Sequence, residues 1–271
     1  MTQKQINPFD EFYCMSADDS RIAFALREIY QTFNDKTRVD RKSLHKFGGN
    51  PSVGTLLEPV NSWGEFEEYQ ASNIVLNMSS TDDNDSAMVT IEYMYFDESD
   101  NLVFGSQTQT LTGQTPIALP VAACRWTRMF TSSNVGGDVY IYRGTATNGQ
   151  PNNLANVHCA IPAGSNQSQK AATSIAGSNY LILTYGWADT IRKSSSSVEV
   201  GFRIRQIGND FRVAPRRGAS SDNSISYVFD PYIIIPPNSD VEVVARAESG
   251  TDNNVTAGFD GYFADIISGV V

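Results

Sequence analysis

The chain has 271 residues, of which 18% are charged, and carries a formal net charge of -10 at pH 7. That length holds one large all-β unit or two smaller domains, and sparse charge beside abundant Ser, Thr, Asn, Gly and Gln argues against a helical bundle. The acidic balance disfavours broad nucleic-acid binding, which needs clustered Lys and Arg to neutralise phosphate, and the densest basic patch, Arg212, Arg216 and Arg217, reads as a solvated loop, so no nucleic-acid partner is expected.

The opening MTQKQINPFDEF has no apolar run behind a basic segment, so no secretory signal is expected. No stretch approaches the length of a membrane helix, so no membrane partner is expected either. Ser16 can cap a helix, with Asp18 and Asp19 in its first turn where negative charge is favourable. Ile22, Leu26, Ile29 and Phe33 then recur at three- and four-residue spacing and form one apolar stripe, the candidate contact for attachment or oligomerisation. The basic connector TRVDRKSLHK follows, and then FGGNPSVGT, whose Gly and Pro residues are expected to break regular structure. Residues 1–50 thus read as an N-terminal arm and helix, either an attachment device or a cap on the rest. Residues 51–271 read as a β-sandwich region, with a possible sub-boundary near 165–177.

From Asn73 onward the pattern is short strands and turns: NIVLNM, AMVTIEYMYF, NLVFGSQTQTL, ACRWTRMF, GDVYIYRG, LANVHCAI, NYLILTYG, SVEVGFRIRQ, FRVAP, SISYVF, DVEVVARA and NVTAGFDGYF. In VEVGFRIRQ, Val198, Val200, Phe202 and Ile204 share one face, and Glu199, Arg203 and Arg205 the other. Such alternation predicts antiparallel sheets with one face in the core and one in water. The fold class is therefore all-β, an antiparallel sandwich or jelly-roll-like arrangement. Val89 to Phe104 (VTIEYMYFDESDNLVF) matches Val198 to Val213 (VEVGFRIRQIGNDFRV) in length, alternation and an Asn/Asp turn, and Ser72-Asn73 precedes a strand as Ser178-Asn179 does. One large sandwich of similar halves, or two stacked sandwiches, would produce that repetition.

Reactive groups are few. His45 lies in the basic connector and reads as solvated. His158 neighbours Cys159 on a strand, where successive side chains point to opposite faces, so the two should not converge. Cys14, Cys124 and Cys159 have no C-x-x-C spacing and read as buried small hydrophobes. The acidic run Thr81-Asp-Asp-Asn-Asp-Ser86 lacks the glycine and distal glutamate of an EF-hand and reads as an inter-strand loop. Neither phosphate-binding glycine motif nor a nucleophile elbow occurs. Trp63, Trp126 and Trp187 offer either a sugar-stacking platform or core filling, the usual role of strand aromatics. No catalytic residue, metal ligand or cofactor site is assigned, and the chain is expected not to be an enzyme.

One segment is distinctive without being reactive. TLTGQTPIALP (110–120) reads as a strand end, a turn on Gly113 and a restart at Pro116. It resembles a segment of virion proteins from marine tailed phages, including those of cyanobacteria. Other pieces similar to that family fall in the same order: GGNPSVGT, the Ser-Thr-Asp-Asp loop with VTIEYMYFDESDNL, then RMF, GDVYIYRG, IPAGSNQSQKA, IIIPPNSDVEVVARA and NNVTAGFDGYF. The resemblance spans roughly residues 48–265 and leaves the arm outside. It implies a non-enzymatic virion structural protein made in the host cytoplasm: a capsid decoration or cement protein, or a subunit of a surface knob or appendage. Its implied partners are other virion proteins, major capsid or tail proteins, and further copies of itself, a trimer being favoured. The alternative is a host-surface glycan-binding module of a head or tail appendage.

Overall fold

A computed structural model describes residues 42–191, 197–213, 217–219, 224–248 and 253–265. The helix expected over Ser16 to Asn34, with Ile22, Leu26, Ile29 and Phe33, lies outside them, as does Cys14. Apart from one 3-10 turn at Leu154–Asn156, every described element is a strand, and every pairing is antiparallel. In chain order the strands are β1 (Lys42–Val53), β2 (Glu58–Pro59), β3 (Ile74–Ser80), β4 (Met88–Phe96), β5 (Leu102–Thr110), β6 (Ile117–Ala123), β7 (Arg125–Thr131), β8 (Val139–Tyr142), β9 (Ala146–Thr147) and β10 (Gln150–Pro151). They continue as β11 (Val157–Ile161), β12 (Ala172–Ile175), β13 (Asn179–Ile191), β14 (Val198–Gln206), β15 (Arg212–Val213), β16 (Arg217–Ala219), β17 (Ser224–Ile235), β18 (Ser239–Ala247) and β19 (Asn253–Asp265).

These strands build two sandwiches. In the central one, a four-stranded sheet ordered β11-β8-β3-β6 faces a three-stranded sheet ordered β5-β4-β7. Leu76, Met78, Ile141 and Ile161 of the first meet Val89, Ile91, Trp126 and Met129 of the second in one apolar core. In the terminal sandwich, a four-stranded sheet ordered β1-β19-β13-β17 faces one ordered β12-β18-β14-β15, to which β16 and β2 also attach. Leu181, Leu183, Val255 and Phe259 there meet Val198, Ile204, Val241 and Val243.

The two sandwiches repeat one topology. The order β11-β8-β3-β6 corresponds position by position to β1-β19-β13-β17, and β5-β4-β7 corresponds to β15-β14-β18. The matched segments read in the sequence are the same hairpin in each copy, β4–β5 and β14–β15. The β4–β5 turn is set by Asp97, whose carboxylate accepts from the Ser99 and Asn101 amides while Asp100 takes φ 58°. Besides the added β12, β16 and β2, the copies differ in the source of one shared strand. The central sandwich takes its last strand, β11, from the chain that follows β8, whereas the terminal sandwich takes the equivalent strand, β1, from the far N-terminal side.

That swap corrects one expectation. FGGNPSVGT does not break regular structure, because most of it belongs to β1, which pairs with β19 from Lys42↔Phe263 to Val53↔Asn253. β1 lies at the end of its sheet's order, and Pro51 falls where the register shifts between Asn50 and Val53, positions at which a missing amide donor is tolerated. Gly48 is there for space: a Cβ on it would lie 2.1 Å from the Val60 carbonyl oxygen. His45 is accordingly a strand residue, exposed and paired through Nδ1 with Asp260 across the ladder.

Candidate functional site

Between the sandwiches lies a seam of buried charge, formed where the polar face of β14 and β18 meets β7 and the segment 60–73. The alternation in VEVGFRIRQ holds: Val198 and Ile204 are buried in the core, with Val200 and Phe202 packed against it. Its polar face, expected in water, is instead covered. Arg203 Nε pairs with Glu242, and the Arg203 guanidinium stacks over Phe66 and Phe211, 3.6 and 4.2 Å from the ring centres. Arg205 donates to Asp240 Oδ2 at 3.0 Å and lies over Tyr69. Alternation marks which side chains share a face; it is blind to a second layer of opposite charge and aromatic rings that can cover the polar one.

The central sandwich reaches into this layer through β7. Arg125 grips Asp240 with two parallel bonds, Nε to Oδ1 at 2.9 Å and Nη2 to Oδ2 at 3.1 Å, and donates from Nη1 to the Gln70 carbonyl at 2.8 Å. Ser174 Oγ donates to the same carboxylate at 2.5 Å. A second group sits beside it. Lys170 Nζ pairs with Glu67 and donates to the carbonyls of Trp126 and His158, each at 3.0 Å, while His158 Nδ1 lies 3.4 Å from Glu67 Oε1. The His158 ring rests against Trp126 at 5.1 Å between centres, and its Nε2 has no partner among the described residues.

Electrostatics follow from this burial. Desolvation pushes the Glu67 carboxyl up, but Lys170 and His158 together outweigh it and hold the group below its ordinary range. Burial wins at Glu242, raising it to about 7 even with Arg203 against it. Burial lowers Lys46 to about 8. Burial likewise raises the thiols of Cys124, to about 11, and Cys159, so neither is a thiolate near neutrality. Cys159 points into the central core while His158 points into the seam, as their adjacency on a strand requires.

A cleft of about 410 Å³ opens beside the seam, where β1 crosses the outer face of β4, β5 and β7. Lys46, Glu92, Arg128, Thr127, Phe104 and Phe263 are among its walls. Lys46 is 7% exposed and donates to the Thr127 carbonyl at 2.5 Å. Arg128 donates to Gln167 and lies over Phe130.

Other sequence candidates take structural roles. The acidic run is a tied loop: Asp85 accepts from the amides of Gly136 and Gly137 and from Ser80 Oγ, at 2.8, 3.0 and 2.5 Å. Despite partial desolvation, those bonds hold its pKa below the ordinary value. Among the described residues no cluster of His, Cys, Asp and Glu could hold a metal ion. The turn of TLTGQTPIALP packs on this loop, with Gly113 N donating to Asp85 O at 2.8 Å and Gln114 Nε2 to Thr81 O at 2.8 Å. Gly113 takes φ +61°, and a Cβ there would lie 2.2 Å from Asp83 O. Trp126 fills the central core and Trp63 a small cluster with Tyr140, Tyr142 and Val157, so these two form no exposed platform. Glu67, Lys170, Arg125 and Asp240 were not singled out by sequence: alternation places Arg125 and Asp240 in water, and Glu67 and Lys170 lie between strands.

The fold defines a class, an all-β protein of two antiparallel sandwiches with one shared strand order. No family model and no curated protein matches the chain. Among solved structures it is similar to the N-terminal CBM22-1-CBM22-2 tandem domain of Paenibacillus barcinonensis Xyn10C, at 11% identity and TM-score 0.24, covering 83% of this chain and 93% of that one. It is similar to the Cowpea Mosaic Virus empty virus-like particle at 12% identity and TM-score 0.21, covering 74% and 89%. The infectious bursal disease virus VP2 subviral particle matches at 11% identity and TM-score 0.21, covering 84% and 72%. Likeness at this level carries no argument about fold or role.

Proposed function

We propose that the chain is a non-enzymatic structural protein of a phage virion, a capsid decoration protein or a subunit of a surface knob or appendage. The observation that carries this reading is the use made of its ionisable groups. Arg125 and Asp240 tie the two sandwiches together, Glu67, Lys170 and His158 are tied to one another beside them, and all five of these groups with capacity for chemistry are buried. A site that must bind and release substrate leaves such groups reachable by water and reactant. A durable scaffold ties them to one another. The ordered motifs similar to marine phage virion proteins across residues 48–265 support the same reading, and the tied loops 81–86 and 110–116 add rigidity at one end of the central sandwich.

In this role the outer sheets and loops contact neighbouring virion proteins and other copies of the chain, in closed symmetry with a trimer favoured, and the N-terminal region attaches it. The test is truncation. β1 begins at Lys42 and contributes the buried Lys46, so the cut belongs before Lys42. A chain lacking residues 1–41 is expected to fold and fail to join particles. Incorporation at the full-length level would refute attachment through the arm.

A further inference from the structure

We propose that the cleft between the two sandwiches is a binding site for a neutral saccharide. The inference goes beyond the assembly role and does not depend on it.

Two buried lysines differ in how fully their donors are used. Lys170 is 6% exposed and its ammonium is fully engaged, by Glu67 and by the carbonyls of Trp126 and His158. Lys46 is 7% exposed, yet among the described residues its ammonium has a single acceptor, the Thr127 carbonyl. An ammonium carries three donors, and leaving buried donors unmade is costly. Lys46 lines the cleft, so its remaining donors have the cleft to serve. Glu92, on the same wall, presents the opposite capacity: its carboxylate takes no hydrogen bond from a described residue and feels the charge of Lys46.

An ammonium, a guanidinium and a carboxylate in one cleft set hydrogen-bond donors beside an acceptor, which a hydroxyl can use together and a simple ion cannot. An anion would meet Glu92, and a cation would meet Lys46 and Arg128. A hydroxyl satisfies both, donating to the carboxylate while accepting from the ammonium or guanidinium. Thr127, Thr173 and Ser43 add further hydroxyls to the lining. Phe104 from β5, 48% exposed, and Phe263 from β19, which also packs against the terminal core, supply aromatic wall. A ligand with hydroxyls around its edge and C–H groups on its faces is a sugar ring. The volume of about 410 Å³ lies inside the range of roughly 300–1,000 Å³ usual for small-ligand sites.

The test uses the full chain against an array of neutral oligosaccharides (glucans, mannans, galactans and xylans) beside carboxylated and sulfated ones, followed by calorimetric titration of the members bound. Neutral members are expected to bind. Glu92→Gln and Phe104→Ala are each expected to weaken that binding roughly tenfold or more, with unchanged melting temperature. Thr108→Val, exposed on β5 and away from the cleft, is expected to leave it unchanged. The proposal is overturned if no neutral member binds, if only acidic members bind, or if both cleft variants bind as the parent chain does. None of these results bears on incorporation into particles, which separates this proposal from the assembly role.

Discussion

The guanidinium of Arg125, on the central sandwich, holds the carboxylate of Asp240, on the terminal sandwich, by two bonds of 2.9 and 3.1 Å, with side chains 3% and 0% exposed. Burial disfavours the Arg125 charge, but Asp240 outweighs it and raises the guanidinium pKa. Removing Arg125 leaves the buried Asp240 with Arg205 and Ser174 but without its two-bond partner, at a cost up to the about 3–5 kcal/mol of a fully stranded buried charge. Arg125→Met is therefore expected to lower the unfolding free energy, read by denaturant titration, by up to that order. Differential scanning calorimetry should then resolve two transitions, as the sandwiches lose their tie. A loss under about 1 kcal/mol, the range of exposed pairs, would show the bond to be incidental.

Glu242 gives a pH signature. Its folded pKa of about 7 stands above the ordinary value of 4.5, so the native state holds a proton that the unfolded chain releases between those values. Its contribution to stability is full below about pH 4.5 and is lost as pH rises through about 7. Glu242→Gln is expected to remove that slope, so the stability difference between parent and variant should change by up to about 3 kcal/mol from pH 4.5 to 7. Parallel stability curves for the two chains would show that Glu242 does not titrate in this way.

Gly48 tests the crossing of β1 over the start of the seam. A Cβ there would lie 2.1 Å from Val60 O and 2.6 Å from Ala171 N, both backbone atoms that cannot swing aside. Gly48→Ala is expected to cost about 1–3 kcal/mol or more. At Gly186, where the nearest atoms are ring carbons of Phe202 and Phe229 at 3.4 Å, alanine is expected to cost less. Equal urea midpoints for the two variants would contradict the close approach.

The borrowed strand is tested by a pair of truncations. Removing residues 1–41 is expected to leave the thermal transition of the β region intact. Removing residues 1–53 takes away β1, exposes β19 along its length and opens the terminal core at Val53, Val255 and Phe259. That chain is expected to lose the transition of the terminal sandwich or to aggregate through the bared strand. A cooperative transition like that of the shorter truncation would show that β1 is dispensable.

What the sequence made legible is local. The strands of VTIEYMYF and VEVGFRIRQ were readable because β-branched and aromatic residues alternate with polar ones, and their shared pattern reports the repeated hairpin. β1 was not readable, because Gly48, Gly49 and Pro51 are punctuation by composition. Their meaning, close approach and a register shift, depends on Val60 and β19, which are distant in sequence. The seam was hidden for a related reason. Asp240 and Glu242 alternate with Val241 and Val243 as solvent-facing residues would, and only Arg125 of the central sandwich and the rings of Phe66, Tyr69 and Phe211 make that face an interior. His158 was legible as unfit for partnership with Cys159, but its neighbour Glu67 sits 91 residues away.

The proposed virion role is tested most directly by the copy number of this chain in purified phage particles, by quantitative mass spectrometry against the major capsid protein. A structural protein repeated by particle symmetry is expected at tens to roughly hundreds of copies per particle. Absence from washed particles, with the chain abundant in the infected cell, would contradict the account.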